Sequence, residues 1–173
     1  MLTLDQLKLI MPHLNGSRAQ MMFPHLLQAL VDGNINTRLR QAAFLAQIAH
    51  ESAELRYMEE IASGAQYEGR KDLGNTQPGD GKRYKGRSPL QLTGRNNYSA
   101  CGKDLGVNLV NHPELAATPE VGFRVTVWFW TKHNLNALAD TGDFDKVTKI
   151  INGGTNGAAQ RQAFYKTALS VIQ

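Results

Sequence analysis

Apolar residues recur at helical spacing along most of the chain, and the pattern breaks in one central stretch. Thr3 and Gln6 are spaced as a capping box, and Leu4, Leu7, Ile10 and Met11 give the helix that follows an apolar face. Pro12 marks its end. Met22, Leu26, Leu27, Leu30 and Val31 predict a second helix over 18–32, stopped at Gly33-Asn34. Thr37 caps a third, in which Leu39, Ala42, Ala43, Ala46 and Ala49 share a face and His50 and Glu51 come at the C-terminal end. Thr118-Pro119-Glu120 opens another helix, with Val121, Val125, Trp128 and Phe129 on one face. Asp143 caps a helix bearing Phe144, Val147, Ile150 and Ile151, and the last helix carries Phe164, Ala168, Val171 and Ile172.

Residues 64–88 keep neither the helical nor the strand period and are rich in glycine and charge. They read as a long ordered loop with a short hairpin, and a loop of that length in a compact domain is usually functional or mobile. The expected fold is mainly α, with a lobed shape formed around this loop or small hairpin region. With 173 residues and no repeat or linker, a single domain over 1–173 is expected.

Composition changes this picture little. The lone cysteine, Cys101, makes an internal disulfide impossible and reads as a packing residue. The N-terminus lacks the features of a secretory signal, and no run approaches the roughly 18 apolar residues of a membrane span. Synthesis in the cytoplasm and no stable membrane insertion are therefore expected. The net charge of +4 points weakly to an anionic partner. Residues 69–95 hold seven cations against two acids, an excess larger than that of the whole chain. That stretch reads either as a solvated loop or as a binding surface for nucleic acid or glycan.

Candidate chemistry begins with Glu51 and Glu60. Glycoside hydrolysis needs two carboxyl groups flanking the scissile bond, one protonated and one ionised. Nine residues on an unbroken helix turn through about 900° and rise about 13.5 Å, which would point the pair in opposite directions. The pair works only if the helix ends soon after Glu51 and the chain folds back. Glu54 and Glu59 read as solvated. His50-Glu51 does not make a zinc motif, because Glu54 stands where a second histidine is required. The five histidines show no ligand spacing, and no metal or cofactor is expected. Gly74 and Gly79 are spaced like a phosphate loop, but Asp80 follows where lysine is needed. Gln91, Thr93, Asn96, Asn97 and Tyr98 place neutral hydrogen-bonding groups beside an aromatic ring, which suits a sugar; a polar turn is the plain alternative. Thr93 has a hydroxyl that both donates and accepts, as holding a water requires. Asn152-Gly153-Gly154-Thr155-Asn156-Gly157 reads as a helix stop or as backbone facing a ligand, and His50 as an orienter of Glu51, a substrate contact or a structural histidine.

Taken in order, His50-Glu51-Ser52, Glu60, Gly86-Arg87-x-Pro89-Leu90-Gln91-Leu92-Thr93-Gly94-x-Asn96-Asn97-Tyr98 and Ile151-Asn152-Gly153-Gly154 resemble glycoside hydrolase family 19, the chitinases and the bacteriophage endolysins related to them. The stretch from Glu60 to Asn75 looks like the endolysin branch. The resemblance runs from about residue 39 to the C-terminus. It implies a mainly α, two-lobed, lysozyme-like fold with a central substrate cleft, and a single catalytic domain over 1–173 without a separate cell-wall-binding domain. It also implies an inverting mechanism, with Glu51 as general acid and Glu60 as general base. It places Thr93 where the family holds the nucleophilic water, Gln91, Asn97 and Asn152 at substrate contacts, and Arg161 at an arginine near the site. Ser88 departs from it, standing where a glycine is usual. An endolysin would be a monomer acting on peptidoglycan glycan strands. A separate membrane-permeabilising protein would release it from the host cytoplasm to the cell wall. The nearest alternative is a chitinase; a different class is a non-catalytic binder of glycan or nucleic acid through residues 69–95.

Overall fold

A computed structural model describes residues 2–172. Among them the chain forms nine α-helices: α1 Leu4–Ile10, α2 Gly16–Asp32, α3 Arg38–Glu51, α4 Asp80–Arg83, α5 Arg95–Leu105, α6 Pro119–Lys132, α7 Leu135–Asp140, α8 Phe144–Asn152 and α9 Ala158–Val171. Three 3-10 turns lie at Ala65–Tyr67, Lys71–Leu73 and Pro113–Ala117. The mainly α expectation holds.

Side-chain caps set several of the starts. The Thr3–Gln6 capping box is formed in both directions, Thr37 accepts from the Arg40 N–H, Thr118 from Val121 and Asp143 from Lys146. Each satisfies a backbone donor that the helix itself leaves open. Pro24 sits inside α2, where it cannot donate to the preceding turn, and its side chain faces solvent.

Two hydrophobic cores divide the molecule. The larger joins α1, α2, α3 and α6–α9, with Phe44 meeting Trp130 edge-on at 5.1 Å. Helix α3 runs through its middle and is buried from Ala42 to Ala49. Its four alanines let α9 approach closely, so the last helix closes over the one that carries Glu51. The smaller core gathers Tyr84, Leu92, Tyr98, Cys101, Leu109, Val125 and Trp128 beneath the central loop. Burial pushes the Cys101 thiol up to about 12, so it stays a protonated packing group. Helix α6 serves both cores, and Phe129 packs against each. The central stretch is ordered by α4, by 3-10 turns and by isolated antiparallel bridges Glu59–Arg87 and Arg87–Leu92.

Candidate active site

Helix α3 ends at Glu51 because the next residues leave the right-handed region. Ser52 caps it, its hydroxyl donating to the Ile48 carbonyl and accepting from the Leu55 N–H. Ala53, Glu54 and Leu55 then hold φ of 48°, 60° and 61°. Three left-handed residues in a row, none of them glycine, each cost about 1–2 kcal/mol. Hydrogen bonds from Glu54 N to Ala49 O (2.6 Å) and from Tyr57 N to Ser52 O (2.9 Å) close the turn. The chain then runs antiparallel to residues 86–88, with Glu60 N donating to Gly86 O and Ser88 N to Met58 O. The helix stops and folds back, the condition on which the Glu51–Glu60 pair depended.

Glu51 is tied to a buried polar network. Arg161 Nη2 donates to Glu51 Oε1 at 2.5 Å, and the arginine side chain is 2% exposed against 20% for the glutamate. Arg161 Nη1 donates to Gln47 Oε1, and Gln47 Nε2 to Thr148 Oγ1 at 2.8 Å. Three helices, α3, α8 and α9, thus fix one carboxylate oxygen. Arg161 therefore acts from beneath the surface rather than standing open as a sugar contact. His50 lies against Gly157: a Cβ there would stand 2.1 Å from His50 Cε1, so only glycine fits. Burial, and then the Arg161 charge, hold the His50 imidazole below its ordinary value. The ring seats the 152–157 loop, and Asn152 Nδ2 donates to Asn156 O at 3.4 Å within that loop.

Glu60 is held differently. Its Oε2 accepts the Gly86 N–H at 2.7 Å and its Oε1 accepts from Gln66 Nε2 at 3.0 Å. A Cβ on Gly86 would stand 2.7 Å from Glu60 Oε2 and 2.6 Å from Gln91 Oε1, so both side chains crowd the same bare backbone. Neighbouring Glu59 is partly solvated, its side chain 39% exposed, but it is also paired: Lys85 Nζ (3.0 Å) and Arg87 Nη2 (3.1 Å) both reach its Oε1. Burial pushes its carboxyl up, but those two cations outweigh it and hold it below the usual value. Glu54 is not solvated as expected: it is 8% exposed and bonded to His13.

Beside Gln91 opens a pocket of about 280 Å³, with Gln91, Thr93 and Asn97 lining it together with Trp128, Phe129 and Ile151. Thr93 Oγ1 donates to Gln91 O at 2.9 Å, leaving its lone pairs free to accept from a ligand or water. Asn97 Nδ2 donates to Thr93 O, which braces the same strip. Lys132 and His133 also line the pocket, Lys132 lying 4.4 Å over the Trp128 ring and His133 stacked on Phe129 at 4.1 Å. No carboxylate lines it among the described residues. These four residues of α6 and its end were missed as site residues; Trp128 and Phe129 read only as an apolar face. The recurrence of Trp-Phe and Lys-His four residues apart was the available signal.

Tyr98 corrects the reading in the other direction. It is fully buried, donates to Lys85 O at 2.7 Å and lies under Arg87, so it supports the hairpin and does not face a sugar. The basic stretch is in part tied into the fold. Arg70 pairs with Asp72, Arg95 with Asp80, Lys85 and Arg87 with Glu59, and Arg83 donates to the carbonyls of Val110 and Asn111. Lys71, Lys82 and Arg83 stay exposed with no carboxylate partner among the described residues, so a binder relying on residues 69–95 would keep three of its seven cations free of an acid.

A family model described as chitinase class I matches residues 18–140, which include Glu51, Glu60, Gln91, Thr93 and Asn97. The chain belongs to glycoside hydrolase family 19. It is 44% identical over 114 residues to an endochitinase of Arabidopsis thaliana, an alignment covering 65% of this chain and 39% of that protein. It is 27% identical to a glycosyl hydrolase family 19 domain-containing protein of Haemophilus influenzae, over 86% of this chain and 92% of that one. The crystal structure of chitinase C from Streptomyces griseus superposes with a TM-score of 0.76 at 25% identity, covering 98% of this chain and 91% of that one. The family 19 chain thus spans about two fifths of the length of the plant relatives it matches. Asn152 and Arg161 lie beyond the segment that the family model covers.

Proposed function

We propose that this family 19 chain hydrolyses β-1,4 glycosidic bonds of bacterial peptidoglycan by an inverting acid/base mechanism, as an endolysin does. Glu51 is the general acid: Arg161 engages Oε1, and Oε2 carries the proton to the leaving oxygen. As that proton departs, the buried guanidinium stabilises the charge that develops on the carboxylate, an interaction stronger in the transition state than before it. Glu60 is the general base. Its carboxylate is fixed by the Gly86 N–H and Gln66, beside Gln91, and Thr93 helps to hold the attacking water. Inversion requires the two carboxyl groups to stand about 6.5–9.5 Å apart, with room for that water between them.

The observation that carries this reading is the fold-back after α3: it separates Glu51, held by Arg161, from Glu60, which crowds the Gly86 backbone together with Gln91, and Gln91 lines a pocket of amides, a hydroxyl and aromatic faces. Such a pocket suits an N-acetylated sugar, with hydroxyls and acetamide on its edges and a weakly apolar face. Lys132, with no acid among the residues that line the pocket, favours a glycan that carries carboxylates over neutral chitin. Chitin is the second reading, and the chitinase names of the relatives favour it. The endolysin reading also carries a monomer released to the wall by a separate membrane-permeabilising protein.

Mass spectrometry of digested wall decides the bond: reducing ends at N-acetylmuramic acid or N-acetylglucosamine are expected, with peptide links intact. Cleavage of chitin oligomers alone would replace the wall by chitin. Glu51→Gln and Glu60→Gln should each lower kcat on the order of 10²–10⁴-fold in folded protein. Unchanged turnover by either variant would remove that residue's role.

A further inference from the structure

The turn that joins the two carboxylates is not specified by its own residues. Ala53, Glu54 and Leu55 all hold left-handed backbone with no glycine among them. Two contacts from the N-terminal helical hairpin fall on it. His13, in the link between α1 and α2, donates its backbone N–H to Glu54 Oε2 at 2.7 Å, and its Nδ1 stands 2.8 Å from Oε1. Arg18, in the first turn of α2, donates its Nε to the Leu55 carbonyl. The Glu54 side chain is 10% exposed, whereas His13 is 83% exposed. The carboxylate is thus turned inward, where it needs bonded partners. Leu55 is fully buried and anchors the far side of the turn.

We propose that Glu54 is a positioning residue: gripped by His13 and supported by Arg18, it holds the left-handed turn that sets Glu51 against Glu60. The inference rests on the catalytic reading of those two glutamates. Strained backbone of this kind persists only where its surroundings over-determine it. Here the surroundings are a hairpin that contributes no residue to the pocket beside Gln91. Freed from the clamp, residues 53–55 would relax toward ordinary backbone and shift the start of the segment that carries Glu60.

The test compares wild type with Glu54→Ala, Ala53→Gly and the double variant. Kinetics are run on peptidoglycan and soluble chitin oligomers, well below the measured melting temperature of each protein. Glu54→Ala should lose kcat on the order of 10²-fold through misplacement of the pair, with KM within about twofold. Adding Ala53→Gly should restore most of the loss, because glycine takes the left-handed conformation without penalty. Ala53→Gly alone reports any gain in overall stability from relieving left-handed backbone, and rates taken below each melting temperature keep that gain out of the comparison. Amide exchange at residues 53–57 reads the turn with no substrate present; it should quicken in Glu54→Ala and slow again in the double variant. Wild-type turnover by folded Glu54→Ala, or exchange that stays unchanged, overturns the clamp. A wild-type protein that cleaves neither polymer overturns the hydrolase reading instead, while the exchange result still judges the clamp.

Discussion

Ser88 holds φ at +75° with its hydroxyl buried and unpartnered among the described residues. Both features count against serine: a left-handed non-glycine residue costs about 1–2 kcal/mol, and a buried hydroxyl without a partner costs about 1–3. Glycine keeps the backbone bonds of the turn, Ser88 N to Met58 O and Gln91 N to Ser88 O. Ser88→Gly should therefore raise the urea midpoint, reporting a stability gain of about 1 kcal/mol or more after the added freedom of the unfolded chain is counted. A lower midpoint would mean that the hydroxyl has a partner in solution. Gly86 behaves oppositely. Alanine there would push on Glu60 Oε2 and Gln91 Oε1, so turnover should fall while secondary structure stays, as circular dichroism would report. At this scale sequence reading found residue types and missed partners. Glu54 finds His13 41 positions away and Glu59 finds Arg87 28 away, and no local pattern encodes either pairing. Tyr98 was misplaced for the same reason, since burial belongs to the fold and not to the tyrosine.

Helices were readable where a cap or a sustained face announced them. Thr3, Thr37, Thr118 and Asp143 each cap a helix as spacing predicts, because capping is decided within four residues. Helices α5 and α7 gave no such sign. The first starts on Gly94 with no side-chain cap and a polar Arg-Asn-Asn turn, and the second is six residues long after a left-handed Asn134. Ile150, expected on the buried face of α8, is 39% exposed. Helix α3 teaches most, because its alanine-rich face was plain while Gln47, fully buried at its centre, was not marked. Gln47 satisfies Arg161 on one side and Thr148 on the other. Gln47→Leu should strand both, destabilising the fold by roughly 2–4 kcal/mol and lowering kcat through a looser Arg161–Glu51 contact. Denaturant melts together with rates on folded protein separate the two effects. A variant as stable as wild type would show that water can replace the amide.

Across the whole molecule, several charges are paired within the fold, and one such pair sets a pH response. Arg95 holds the nearly buried Asp80 carboxyl below its ordinary value. A depressed carboxylate adds stability that is present above its unfolded pKa, near 3.9, and is lost as pH falls through the lower folded value. The gap in melting temperature between wild type and Asp80→Asn should therefore be full at neutral pH and close below about pH 4. At the pocket, Lys132 is the side chain that carries a positive charge. If the glycan carries carboxylates, Lys132 attracts one from its perch over Trp128, at a site open enough to water that the gain stays small. Lys132→Met keeps much of the packing on the ring and removes the charge. Its kcat/KM on peptidoglycan should fall about two- to fivefold, the worth of one exposed ion pair. Its kcat/KM on neutral chitin oligomers should hold, and added salt should erase the difference as it screens the wild-type attraction. Equal losses on both polymers would make Lys132 a support for Trp128 and leave chitin as the better-matched substrate.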